Sequence, residues 1–288
     1  MSASPDTRST QAITRLPGHS NVAGAFLHHV GRDGRSDAYA DRQSLAEITE
    51  GYADVLALHE RYGVPAGLQL DGTLLETLAH QRPALLERTR ELREAGLLSL
   101  IGGAWSARAP GRSRGARGFD DHLALYERHL GCPPAEVTLC SIQASLSKTD
   151  ALWSQLGSEQ LRNGGYRYLL LGHGRLYVLS ESRLVPVPGA GGLLPGVPPR
   201  SEKDWRLLER TVNRLVSSGG ERLLLYAEDL ERTAGIAGWE VVLGSYEAFL
   251  AWVASPQVPV SPVHLGTWLH LVRGRLAGQG NPGAVSIR

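Results

Sequence analysis

The chain has 288 residues, 42% of them apolar, and its 30 Lys and Arg against 29 Asp and Glu leave a formal charge of +1. That is enough apolar chain for one large or two ordinary domains with a full core, while the near-neutral balance removes any global electrostatic case for nucleic acid or an anionic membrane as partner. Two cysteines without a CxxC argue against a disulfide framework or thiolate metal centre, no apolar run approaches the roughly 20 residues of a membrane span, and the N-terminus lacks a signal pattern, so a cytoplasmic protein with reduced thiols is expected.

Residues 1–20 are polar and aperiodic, which predicts a disordered tail ahead of a domain over 21–288. Val22-Ala-Gly-Ala-Phe-Leu-His-His-Val30 reads as a first strand ending in His28 and His29. Leu45, Ile48, Tyr52, Val55 and Leu56 then recur at helical spacing between Tyr39 and Tyr62, with Gly63 as the stop. Ala66 to Leu70 is a second strand. Asp71-Gly-Thr caps a helix through Leu78, and Pro83 opens another to Ala95. A third strand, Leu98 to Ile101, runs into Gly102-Gly-Ala-Trp-Ser106; a loop over 107–117 and an amphipathic helix from Phe119 to Leu130 follow. The fourth strand is Glu136 to Ser141, with Gln143 just past its end. Next come a helix over 147–156 and a fifth strand, Tyr166 to Leu171, paired through Gly172-His-Gly174 with Leu176 to Leu179.

Pro186, Pro188, Pro195, Pro198, Pro199 and a glycine run predict a long irregular connection over 184–200, of the kind that forms lids or site walls. The glycine run lacks the GxGxxG spacing of a phosphate loop. Trp205 to Leu215 is helical. Leu223 to Ala227 is a short apolar run between Gly219-Gly220 and the carboxylates Glu228, Asp229 and Glu231, and reads as a strand buried on both faces. Helices over 246–253 and 265–273 close the pattern.

Repeated strand-then-helix units without a break in composition predict the α/β class and a single barrel of the (β/α)7, incomplete TIM-like type, with a doubly wound open sheet as the competitor. In either, ligands bind at the carboxyl ends of the strands. His28, His29, Asp71, Trp105, Gln143, Glu228, Asp229 and Glu231 all fall at or near such ends. The carboxylate cluster could equally be a solvated loop, and Trp105 could pack in the core as readily as stack on a sugar. His28 and His29 with Asp71 or Asp229 are the one conceivable metal set, but no HExxH or comparable spacing exists, so neither metal nor cofactor is expected. Ser145-Leu-Ser-Lys148 matches S-x-x-K without its partner motifs and reads as a helix start.

Several segments together resemble the catalytic barrel of glycoside hydrolase family 57. Phe26-Leu-His-His29 resembles that family's histidine motif, and Leu68-Gln-Leu-Asp-Gly-Thr-Leu-Leu-Glu-Thr-Leu78 its second-strand segment. Gly96 to Trp105 is similar to its glutamate-bearing third-strand stretch, Tyr126 to Gly131 and Val137 to Gly157 to its approach to strand four, and Tyr226 to Gly235 with Trp239 to its acid motif. The resemblance implies an incomplete (β/α)7 barrel, a sugar-like ligand, and Asp229 as general acid with Glu228 and Glu231 beside it. Ser99 stands where the family has its third-strand glutamate. Gln143 stands at the covalent nucleophile, and an amide cannot be an anionic nucleophile. The expected function is therefore non-covalent acid–base catalysis by Asp229, Glu228, His28 and His29 on a small sugar-like or natural-product substrate, possible in secondary metabolism, held by Gln143, Trp105, Asp71, Glu231 and Ser99. A second reading is an inactive relative that binds a carbohydrate-like ligand or a protein; a third is an inverting glycosidase using Asp229 with Glu228. The expected partner is a small molecule, not nucleic acid or membrane, with a homodimer left open.

Overall fold

The computed structural model describes residues 22–30, 42–103, 117–142, 158–171, 175–179, 184–187, 190–194, 198–220, 222–229 and 238–278. The predicted tail over 1–20 and the predicted helix over 147–156 lie outside them. β1 (Val22–Val30) is buried at every position except His29. α1 (Arg42–Tyr62) ends at Gly63, whose φ of 61° is one that glycine adopts without strain. β2 (Ala66–Leu70) passes into α2 (Gly72–Gln81), where the Asp71 carboxylate accepts the Leu74 N–H at 2.6 Å. Pro83 opens α3 (Pro83–Glu94), followed by β3 (Leu98–Leu100), α4 (Arg117–Leu130) and β4 (Leu139–Ile142). Then come α5 (Ser158–Asn163), β5 (Tyr168–Leu171), β6 (Arg175–Leu179), β7 (Leu184–Pro186), β8 (Ala190–Leu194), α6 (Glu202–Ser217) and β9 (Leu223–Asp229). α7 (Trp239–Ala254), β10 (Val260–Pro262) and α8 (Leu265–Gly278) complete the described chain.

The strands form an open barrel. β8, β9, β1, β2 and β3 pair in that order, each parallel to the next. A parallel bridge between Gly102 and Cys140 carries the wall from the end of β3 to β4, and β4 pairs parallel with β5. Seven parallel strands thus run β8-β9-β1-β2-β3-β4-β5. The antiparallel hairpin β6-β7 extends the β5 edge, so among the described strands β7 and β8 do not pair and the ring is incomplete. This is the incomplete (β/α) barrel expected.

Strand alternation divides the apolar residues into two cores. Val22, Phe26 and Val30 of β1 and Leu224 and Tyr226 of β9 pack outward against the helices, with Tyr52, Val55, Tyr246 and Phe249. Ala23, Ala25 and Leu27 of β1, with Ile101, Leu139, Leu170, Leu223 and Leu225, fill the interior. α8 supplies Leu265, Trp268, Leu269 and Val272 to that interior. It arrives from β10, which lies against the first residues of β1, Val22 to Gly24. The apolar filling therefore enters where the strands begin, and polar side chains appear inside only toward their carboxyl ends. Among the described residues no helix is long and apolar enough to cross a membrane.

Several elements differ from the sequence reading: α7 starts at Trp239, seven residues before the expected Tyr246, and β5 at Tyr168 instead of Tyr166. β4 starts at Leu139, not Glu136, because Pro134–Glu136 close a 3-10 turn in which Val137 N–H bonds Pro134 O, and proline has no N–H to give a ladder. The stretch expected to be irregular holds β7 and β8. β7 ends in Pro186 and pairs on one side only, where proline is tolerated, and β8 pairs with β9 through a register shift between Ala190 and Gly192. β10, three residues long, gave no readable period.

Candidate active site

His29 lies opposite Gln69 of β2 on one side and opposite Asp229 of β9 on the other. Its Nδ1 is 2.6 Å from Gln69 Oε1, and Gln69 Nε2 donates to the Ser141 carbonyl at 3.3 Å. Side chains thus tie β1, β2 and β4 together at their carboxyl ends. Burial pushes the His29 imidazole down to about 4, an effect the Gln69 bond opposes and the neighbouring His28 adds to. The ring is therefore neutral near pH 7.

The floor under this group is fixed from α4. The Gly103 N–H donates to His122 Nδ1 at 3.2 Å, and His122 Nε2 donates to Leu70 O at 2.5 Å, so this buried histidine holds both ends of a neutral ring in use. The Tyr126 hydroxyl accepts from Leu70 N–H and donates to Ile101 O, each at 2.9 Å. A Cβ on Gly103 would stand 1.9 Å from Gln69 Nε2, and one on Gly102 would stand 2.2 Å from Tyr166 Oη. Both glycines are therefore required by close approach.

His28 and Glu228 also pair across β1 and β9, but on the outer face. They are 2% and 3% exposed. His28 Nε2 lies 2.9 Å from His59 Nε2 of α1 and 3.0 Å from the Tyr246 hydroxyl of α7, which is itself 2.7 Å from His59 Nε2. His59 spends its Nδ1 hydrogen on Val64 O at 2.7 Å, so its Nε2 accepts and the hydrogen between the two rings belongs to His28. His28 Nδ1 then faces Glu228 Oε2 at 3.6 Å, and the Tyr226 hydroxyl donates to the same oxygen at 3.2 Å. This network lies between sheet and helices, on the side of the wall opposite His29.

The other expected residues distribute as follows. Asp71 is buried and caps α2. Ser99, half-buried, donates to Ala66 O at 3.4 Å and sits opposite Gly67, two positions deeper than the Gln69 level. Asp229 is the last residue of β9, in register with His29. Trp105, Gln143 and Glu231 lie outside the described residues. Among the described residues no group of three or more His, Cys, Asp or Glu side chains could hold a metal ion. Gln69 and His122 were not singled out in the sequence, although Gln69, a polar residue between Leu68 and Leu70, and His122, on the apolar face of its helix, both carried the signal.

A protein-family model, the Toprim domain, matches residues 44–98. That span, from α1 to the first residue of β3, is less than half the chain and assigns no family. Comparison with curated proteins gives no match. Among solved structures, 4-α-glucanotransferase from Thermococcus litoralis is similar over 87% of this chain at 14% identity and a TM-score of 0.61; the chain spans 40% of that protein's length. A probable polysaccharide deacetylase from Pseudomonas aeruginosa PAO1 is similar over 91% of this chain and 95% of its own at 12% identity and a TM-score of 0.62. The GH57-type branching enzyme from Pyrococcus horikoshii is similar over 87% of this chain and 70% of its own at 14% identity and a TM-score of 0.55. Likeness at these identities is one of fold alone: these enzymes share the incomplete (β/α) barrel architecture.

Proposed function

We propose that this chain, as one barrel domain, is an acid–base enzyme acting at the carboxyl end of its strands on a small sugar-like or related natural-product substrate, without a glycosyl-enzyme intermediate. The observation that carries the reading is the register of His29 with Asp229 on adjacent strands, where a neutral imidazole faces the interior end of the barrel. The two-residue period of β9 assigns position 229 to the face of Leu223 and Leu225. In this reading His29 accepts a proton from the substrate while a protonated Asp229 gives one to another substrate atom; a proton then passes through solvent from the His29 imidazolium to the Asp229 carboxylate, which restores the starting state. By the motif resemblance alone, Gln143 matches the position where a retaining glycosidase has its nucleophilic carboxylate, and an amide there could orient a hydroxyl but not form the covalent intermediate. Trp105 and Glu231 would complete the substrate contacts, with Ser99 at the deeper end.

Glu228 and His28 enter this reading as support behind the site. The inverting alternative with Glu228 as the water-activating base loses its basis, since that carboxylate faces His28 and Tyr226 in the helix layer. The test is a panel of mono- and disaccharides and their N-acetylated forms, with binding followed by thermal shift and turnover by mass spectrometry, for the natural chain, Asp229→Asn and His29→Gln. The reading expects both variants to bind a turned-over compound and to lose at least about 100-fold in rate, the usual contribution of a positioned acid or base. Binding without turnover in the natural chain would favour the inactive-relative reading, and full activity in Asp229→Asn would remove the acid.

A further inference from the structure

A main-chain carbonyl can only accept a hydrogen bond, so the atom of Gln69 that meets Ser141 O at 3.3 Å is its amide nitrogen. The amide oxygen is thereby turned toward His29 Nδ1, 2.6 Å away, and since that oxygen can only accept, Nδ1 carries the hydrogen. The opposite amide orientation would set two acceptors against each other at Ser141 and two hydrogens against each other at His29 or force the other tautomer. No partner stands at His29 Nε2 among the described residues. The bare surface of Gly103 makes room for this arrangement, because a Cβ there would stand 1.9 Å from the Gln69 nitrogen and 3.3 Å from Ser141 O. His122 in turn holds Gly103 by its N–H.

We propose that Gln69 is the positioning residue of the site: held by the Ser141 carbonyl and admitted by Gly103, it locks His29 as the Nδ1–H tautomer and presents the Nε2 lone pair to the substrate. This rests on the acid–base reading and deepens it. His29 is then the proton acceptor, and the substrate is one that gives up a proton at that atom, from a hydroxyl or from a carbon acidified by a neighbouring carbonyl. The proton taken by Nε2 leaves an imidazolium that keeps its Nδ1–H bond to Gln69 Oε1. The titratable groups nearest the ring are His28, next to it in the chain but on the other face of the wall, and, by backbone register, Asp229 on β9.

The experiment is two-bond 1H–15N correlation NMR on full-length protein labelled with 15N-histidine, with His29 assigned from the spectrum lost in His29→Gln. At pH 7 the natural chain is expected to show His29 with a pyrrole-type Nδ1 and a pyridine-type Nε2. Gln69→Glu keeps the acceptor, so the tautomer is retained while the His29 titration moves up by about 1 to 3 pH units, the effect of an opposite charge at hydrogen-bond distance. Gln69→Leu removes the acceptor, and the Nδ1–H preference is lost. A His29 found as the Nε2–H tautomer or as imidazolium at pH 7, or a Gln69→Glu titration that does not move, overturns the proposal. Because the readout needs no substrate, it separates from the functional reading: the tautomer can stand while Asp229→Asn retains activity, or fall while turnover depends on Asp229.

Discussion

His28 and His29 are neighbours in the chain with opposite surroundings. One residue of strand advance turns a side chain from one face of the wall to the other, so His28 meets His59 and Tyr246 while His29 meets Gln69. Both were legible as site candidates because they end an apolar strand. Their separation was legible as well, in the alternation of Phe26 and Leu27, but which parity faced the helices depended on the helices' own placement. The same scale carries two predictions about glycines. Gly102→Ala drives a methyl into the buried Tyr166 ring and should cost about 1–3 kcal/mol of stability by urea denaturation. Gly103→Ala meets chiefly the flexible end of Gln69, with the Ser141 carbonyl 3.3 Å away, and should cost less, yet it should abolish the Nδ1–H preference of His29 in the NMR experiment. A Gly103→Ala protein with an unchanged His29 spectrum would break the link between that glycine and the site.

At the scale of elements, the joint between β1 and β9 is held on its outer face by a polar group inside an otherwise apolar layer. Phe26, Tyr226, Tyr246 and Phe249 pack around His28, His59 and Glu228. Removing one partner from such a group leaves the other buried without its counterpart, which costs far more than the pair contributes. His28→Leu and Glu228→Leu are each expected to lower stability by about 3 kcal/mol in denaturant titration, and the double replacement by less than the sum. Single losses below about 1 kcal/mol would mean that the network is not what joins the strands. The elements that escaped the sequence reading share one cause. β7, β8 and β10 are short edge or end strands made of Pro, Gly and Ser as much as of apolar residues, so no two-residue period marks them. Several central elements that bury a face along most of their length were read nearly to the residue, as β1 at Val22–Val30, β2 at Ala66–Leu70 and the helix opened by Pro83 illustrate, whereas α7 was read seven residues short at its start.

Across the described molecule, three histidines sit far below their ordinary value of 6.5 chiefly through burial: His59 at about 3, His122 and His29 at about 4. In each case the unfolded chain binds a proton that the folded chain refuses. Stability therefore rises with pH between about 4 and 6.5 and is lost as pH falls through that window, while above 6.5 these groups add no slope. Each fully buried ring adds up to about 1.4 kcal/mol per pH unit, and half-buried His29 less. His122→Asn should flatten the acid limb of a urea-denaturation series by close to one proton; an unchanged slope would show that this ring does not stay neutral. The barrel itself was legible from the repeated strand-helix units, whereas the grouping of His29 with Gln69 was not, since it depends on strand register across three elements. The most direct test of the account is a crystal structure of the full chain soaked with a monosaccharide, read at Asp229. The account predicts its carboxylate on the interior side, within roughly 5–10 Å of His29 Nε2, the span of a small substrate between acid and base, with the sugar between them. An Asp229 carboxylate turned into the helix layer beside His28 and Glu228 would contradict it.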